Sequence, residues 1–264
     1  EIVGPRLGDV TGAPDLRPRL FYCAGELLPG LPLLAAGIRE GSPLTMLVTP
    51  ASRVVSASND GTARIWNPET GDCLMTLGTV GWQRRATFQG GALKVGREMT
   101  SAAFSPDGKL VLSTSADCTA KIWSVQSGDL VHTLRGHRRR LRAAVFSPDG
   151  ALALTAAHDC AAKIWDVESG ECLHTLQCHS LEVNSAVFSP DGAMVLTASA
   201  DKTAKTWCVQ TGRCLQTLKG HRWDVLSAVF SPDGALALTT SDDRTAKIWR
   251  VDSGECLQTL RAPG

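Results

Sequence analysis

The pentapeptide FSPDG begins at Phe104, Phe146, Phe188 and Phe230, a constant step of 42 residues, and no other feature restricts the fold so far. Tryptophans keep the same step at Trp123, Trp165, Trp207 and Trp249, with Trp66 one step and an insertion earlier. Ser185–Leu218 and Ser227–Leu260 are identical at 24 of 34 positions, the mark of tandem duplication. A unit this short cannot bury both its faces alone. It must stack on its neighbours, so the stable object is the array.

Each unit divides into four short strands. SAVF is the first, and SPDG turns the chain, with Pro preset for the second turn position and Gly free to take a positive φ. ALALT or AMVLT is the second strand, SADKT or SDDRT the next turn, and AKIW the third strand. SGE turns into CLQTL, the fourth, and GH leads to the next unit. Four strands per unit, regular turn signals and no helical period predict an all-β chain of propeller blades.

The recurring pattern GH…SPDG…D-x-T-A-K-I-W resembles the WD-repeat family over Gly37 to Leu260, in register from unit to unit. The resemblance implies a WD40-type β-propeller in which a buried chain links the strand-three Trp, a strand-two Ser or Thr, the His of GH and the Asp of the second turn. It sets Trp165 with Thr155, Asp159 and His137, Trp207 with Thr197, Asp201 and His179, and Trp249 with Thr239, Asp243 and His221. Trp123 keeps Ser113 and Asp117, and Trp66 keeps Ser56 and Asp60. Both lack the histidine: Ile38 stands in its place in the first unit, and an insertion displaces it in the second, so these two blades are expected to be the looser ones. The Asp of the WD dipeptide itself survives only as Asp166.

These landmarks divide the chain into a degenerate partial repeat over residues 1–36 and a repeat array over 37–264. Five four-stranded blades are expected at about 37–78, 95–135, 136–177, 178–219 and 220–261, with an insertion at 79–99. Leu20–Leu34 echoes the third and fourth strands of a further unit, with Leu20 where the Trp would be. WD rings commonly have seven blades, which needs roughly 290 residues. The expectation is therefore a segment of a larger ring continuing upstream of Glu1, or else a strained small ring or an open arc.

Composition narrows function by exclusion. A net charge of +1 with 20% charged residues gives no global attraction to nucleic acid or a membrane. The longest apolar run, Leu27–Ile38, is short and broken by Pro29, Gly30 and Pro32, so no membrane insertion is expected. Nine cysteines, an odd number in a chain this long, favour free thiols in a reducing intracellular compartment, cytoplasmic or nuclear. The recurring cysteines should not pair, since stacked sheets lie about 10 Å apart and a disulfide needs Cα atoms within roughly 7 Å.

The stretch from His158 to His179 holds three cysteines and three histidines and invites a zinc assignment. The repeat register scatters them instead over several strands and both ends of a blade, beyond the 2.0–2.3 Å reach of a tetrahedral metal site. No metal or other cofactor is expected. No nucleophile elbow, phosphate-binding Gly-rich loop or carboxylate pair stands outside the repeating turns, so no catalytic residue, small-molecule substrate or enzyme activity is expected.

What differs among the repeats is the loop after GH: RRRLR (Arg138–Arg142), SLEV (Ser180–Val183) and RWDV (Arg222–Val225), with GWQRR (Gly81–Arg85) from the insertion. Variable loops on a rigid scaffold are where binding is expected, and Trp beside Arg has the composition of a protein–protein hot spot. Arg139, Arg140, Leu181, Glu182, Trp223 and Asp224, with Trp82, Arg84 and Arg85, are the candidate contacts of a scaffold or adaptor module. The alternative is a phosphate- or nucleic-acid-binding propeller using Arg138–Arg142 together with Arg84 and Arg85. The neutral overall charge, and Glu182 and Asp224 in the equivalent loops, count against it.

Overall fold

The computed structural model describes residues 16–22, 25–26, 45–50, 53–78 and 98–261, all of them strand, turn or irregular chain. No helix among these residues is long and apolar enough to cross a membrane. The chain forms two units, residues 1–53 with 67–69, and residues 54–66 with 70–264. In the first, β1 (Leu16–Tyr22) pairs antiparallel with β2 (Gly25–Glu26) and with β3 (Thr45–Pro50), from Leu16↔Pro50 to Phe21↔Thr45.

The second unit is a series of antiparallel sheets, each with its strands in chain order. Blade one is β4 (Val54–Ala57), β5 (Ala63–Trp66) and β6 (Cys73–Leu77). Blade two is β7 (Met99–Phe104), β8 (Leu110–Ser115), β9 (Thr119–Ser124) and β10 (Leu130–Arg135). Blade three is β11 (Leu141–Phe146), β12 (Leu152–Ala157), β13 (Ala162–Asp166) and β14 (Cys172–Leu176). Blade four is β15 (Val183–Phe188), β16 (Met194–Ser199), β17 (Thr203–Cys208) and β18 (Cys214–Lys219). Blade five is β19 (Val225–Phe230), β20 (Leu236–Ser241), β21 (Thr245–Arg250) and β22 (Cys256–Arg261).

Two boundaries differ from the repeat register. Among the described residues blade one has three strands rather than the expected four, and Thr45–Pro50, which falls within its expected bounds, pairs with β1 in a separate sheet. A strand's ladder groups are satisfied by any partner of matching length. Leu16–Tyr22 offers β3 six paired positions, whereas β4 is four residues long. Leu20, taken as the Trp position of a partial repeat, pairs with Met46 in that separate sheet. At the other boundary the insertion ends before Met99, which opens β7 and packs its buried side chain with Ala63, Ile65 and Leu77. Ile38 and residues 79–97, with Trp82, Arg84 and Arg85, lie outside the described residues.

Turn chemistry sets the strand ends. In each SPDG turn the Ser hydroxyl takes the amide that opens the second strand (Leu152 N to Ser147 Oγ, 2.9 Å) while the Asp takes the preceding one (Ala151 N to Asp149 Oδ1, 3.0 Å). The second turn needs a left-handed residue. Blade one supplies Gly61 (φ +85°), but the others place Cys118, Cys160, Lys202 and Arg244 there at φ between +62° and +70°. Such backbone is tolerated by a side chain only where the surroundings hold it.

The core lies between sheets. Leu112, Ala120, Ile122 and Leu134 of blade two pack against Leu141, Ala144, Ala153 and Trp165 of blade three. The same contact repeats between blades three and four and between four and five. Blade five turns an uncovered face outward: Leu238 is 36% and Leu260 45% exposed, whereas Leu196 and Leu218, their equivalents one blade back, are at 0% and 1%.

A polar tie accompanies each apolar contact. His132 Nε2 donates to the Glu168 carbonyl (2.9 Å), His174 Nε2 to Gln210 (3.0 Å) and Gln216 Nε2 to Asp252 (3.0 Å), each reaching the next blade. A glycine is required beside the tie. Gly170 has φ +73°, and a Cβ there would lie 2.9 Å from His132 Cγ.

Candidate functional site

Three blades carry a complete polar chain in their interior. The Trp165 indole N–H donates to Thr155 Oγ1 (2.9 Å), that hydroxyl lies 2.8 Å from His137 Nε2, and His137 Nδ1 lies 2.9 Å from Asp159 Oδ2. Blade four repeats it through Trp207, Thr197, His179 and Asp201 at 2.9, 2.8 and 2.8 Å. Blade five does so through Trp249, Thr239, His221 and Asp243 at 2.8, 2.8 and 2.9 Å. An indole can only donate and a carboxylate only accept. In the Nδ1–H tautomer every proton therefore points one way, from indole to carboxylate. The carboxylate also accepts from the first amide of the loop after GH: Arg138 N (2.8 Å), Ser180 N (3.1 Å) and Arg222 N (2.9 Å). The core chain thus anchors the surface loop.

Blades one and two hold shorter versions. Trp66 donates to Ser56 Oγ and Trp123 to Ser113 Oγ, both at 2.8 Å. Asp117 accepts from the Thr119 amide (3.0 Å) and hydroxyl (2.6 Å). Asp60 does the same with Thr62 and adds an ion pair to Arg64 Nη2 (2.7 Å). Trp66 is partly exposed, whereas Trp207 is fully buried.

Burial works against ionisation of Asp201, but hydrogen bonds from His179, Thr203 and the Ser180 amide outweigh it and hold the carboxyl well below the usual carboxylate range. In Asp159 and Asp243, too, hydrogen bonds prevail over burial, from His137 and the Arg138 amide in one and from Thr245, Arg222 and His221 in the other. A carboxyl lowered in the folded state contributes stability above its unfolded value of about 4. That contribution fades as pH falls below 4 toward the folded value. The array should therefore melt at progressively lower temperature as pH drops from 5 to 2.5; a melting temperature constant over that range would show that the three aspartates are not held ionised.

The His158–His179 stretch has no common centre. His158 and Cys160 share the β12–β13 turn, with Cys160 partly buried. Asp166 accepts from the Ser169 amide and hydroxyl (both 2.7 Å), Cys172 is exposed at the start of β14, His174 makes an inter-blade tie and His179 a core chain. Cys178 is exposed in the place of the Gly of GH. Among the described residues, no group of three His, Cys, Asp or Glu is placed to hold a metal ion.

The three described variable loops, after His137, His179 and His221, lie at one end of the blades. The bond from His158 N to the Arg140 carbonyl (3.0 Å) joins the loop before β11 to the β12–β13 turn there, while Val167 N to the Ala151 carbonyl (3.0 Å) closes the other end. Arg139, Arg140 and Leu181 are exposed, and Glu182 and Asp224 half-buried. Trp223 is 62% exposed, with Lys202 Nζ 5.8 Å from its ring centroid. At this end the sequence reading missed His158 and Lys202. It also missed the threonines that fix Asp60, Asp117, Asp201 and Asp243 and, away from this end, the inter-blade ties. The recurring D-x-T triplet and the polar residue at one register in strand four were the available signals.

A family model described as WD domain, G-beta repeat matches residues 44–67, 82–124, 128–166, 170–208 and 212–250, more than half of the chain. The chain belongs to the WD-repeat family. It is 37% identical over 91 residues to apoptotic protease-activating factor 1 of Rattus norvegicus, covering 34% of this chain and 6% of that protein. It is 34% identical over 87 residues to nuclear distribution protein PAC1-2 of Uncinocarpus reesii (32% and 16%). It is 47% identical over 45 residues to the probable serine/threonine-protein kinase PkwA of Thermomonospora curvata (17% and 6%). The chain thus spans less than a fifth of the length of each of these relatives. WD-repeat domains are in general protein-interaction scaffolds and generally non-catalytic.

Proposed function

We propose that this WD-repeat array is a non-catalytic scaffold that holds protein partners through the end bearing Arg138–Arg140, Ser180–Glu182 and Arg222–Asp224. Trp223 carries the reading: an indole outside the core register, left 62% exposed on a loop whose backbone is pinned to Asp243. A large apolar ring on a pre-ordered loop binds at little further cost in conformational entropy. Arg139, Arg140, Leu181, Glu182 and Asp224 complete the proposed contact set, and Trp82, Arg84 and Arg85 are proposed to extend it.

Capture of partners from native lysate should fall at least tenfold for the triple variant Arg139→Ala, Leu181→Ala, Trp223→Ala, with the melting temperature unchanged, because hot-spot residues dominate affinity and exposed substitutions cost little stability. Lys109→Ala, at the SPDG end, is the comparison. Capture that survives the triple variant and is lost with Lys109→Ala would place the binding face at the opposite end.

A further inference from the structure

Four register-equivalent residues, Glu98, Arg140, Glu182 and Asp224, precede the first strands of blades two to five, and the same backbone bond holds each. Their carbonyls accept from Ala116, His158, Ala200 and Asp242 at 2.8, 3.0, 3.0 and 3.0 Å. Three of the four are acids, and Arg140 reverses the sign. The reversal extends to its neighbours. Arg142 stands where the equivalent blades have Thr100, Asn184 and Leu226, and His158 stands where blades two and four have buried Ala116 and Ala200.

A basic residue among acids would ordinarily be neutralised by pairing with them. Here it is not. Among the described residues no carboxylate lies within ion-pair distance of Arg138, Arg139, Arg140 or Arg142, and Arg140 does not pair with Glu182. His158 Nε2 is shut off from solvent and has no hydrogen-bond partner among these residues, although buried polar atoms nearly always find one. Burial and then the field of Arg140 push the His158 pKa down, joined by Arg142 and Arg139 and opposed by Glu182, so the ring lies within the field of all four. The unpaired guanidinium forks of Arg140 and Arg142 beside this ring form a receptor for a planar anion.

We propose that the corner made by Arg140, Arg142 and His158 seats one carboxylate side chain of a protein partner, while Glu98, Glu182 and Asp224 along the same rim receive basic side chains flanking it. The partner segment is thus one of mixed charge, an Asp or Glu between Lys or Arg residues. The acidic positions around the corner repel a continuous polyanion and so disfavour nucleic acid. The assignment rests on the reading that this end binds protein.

The test uses the full chain and short fluorescent peptides read by anisotropy. One carries a central Glu flanked by lysines, a second has Gln at the centre, a third has Lys there, and a fourth is all acidic. The Glu peptide should bind, and its Gln counterpart about tenfold more weakly, a ratio expected for loss of a close charge pair. Arg140→Glu should abolish that preference and transfer it to the peptide with central Lys, with the melting temperature unchanged because Arg140 is exposed. Equal binding of the Glu and Gln peptides, no binding by any of the four, or tightest binding by the all-acidic peptide or a DNA duplex would each overturn the proposal. If Trp223-dependent capture persists in any of those cases, the corner assignment alone fails and the scaffold reading stands.

Discussion

Trp207→Ala should leave the array close to its unfolding threshold. The indole is 1% exposed and packs at the junction of two blades, against Leu154, Ile164 and Leu176 of blade three. Truncating a fully buried tryptophan costs roughly 3–5 kcal/mol through the cavity it leaves, and Thr197 loses its indole donor as well. That is a large part of the roughly 5–15 kcal/mol by which domains are stable. Ser124→Ala is the control. It removes only an exposed 3.3 Å bond from the Ser127 amide and should cost less than about 1 kcal/mol. Urea denaturation of both variants provides the comparison; equal midpoint shifts would mean that the indole chain contributes nothing beyond an ordinary surface contact.

Asp201→Ala should be of similar severity for a different reason. The carboxylate accepts from Thr203 Oγ1 (2.6 Å), His179 Nδ1 (2.8 Å), Thr203 N (3.0 Å) and Ser180 N (3.1 Å), and its side chain is 8% exposed. Methyl replacement takes the acceptor from four donors, of which only Thr203 Oγ1 and His179 Nδ1, 3.4 Å apart, have each other to turn to. Leaving a buried donor unsatisfied costs roughly 1–3 kcal/mol, and several are left at once here. Asp242→Ala, the exposed residue that precedes the equivalent aspartate in blade five, should fall within about 0.5 kcal/mol of wild type. Should Asp201→Ala melt no lower than Asp242→Ala, the aspartate would be a turn residue and not the end of a core chain.

The strand order of blades two to five was legible because SPDG and the Trp step punctuate every copy, with the D-x-T triplet in all but blade three, and turn residues act locally. Trp207, Thr197, His179 and Asp201 could be set in register because the resemblance to WD repeats implies those positions, and the donor and acceptor chemistry of the four side chains is consistent with it. Strand partnership was not legible in the same way. Thr45–Pro50 falls within the unit expected at 37–78, yet its ladder goes to Leu16–Tyr22, since a strand's sequence does not name its neighbour. The left-handed turn residues were half visible: Gly61 announces the conformation that Cys160 and Arg244 adopt with side chains. His158 could not be recognised from spacing at all, because what sets it apart is the field of Arg140 and Arg139 from another loop and of Arg142 from β11, and a ring nitrogen with no partner among the described residues.

The inter-blade ties carry a consequence for how such a chain evolves. His132, His174 and Gln216 each donate to a main-chain carbonyl, so the receiving blade contributes no side chain of its own to the bond. Glu168, Gln210 and Asp252 accept equally well, although they differ in charge and length. The junction therefore holds no record of which blade lies beyond it. A copy inserted or deleted by unequal exchange meets a neighbour it already fits, provided the adjoining glycine is kept, and its binding loop can then diverge without renegotiating the joint.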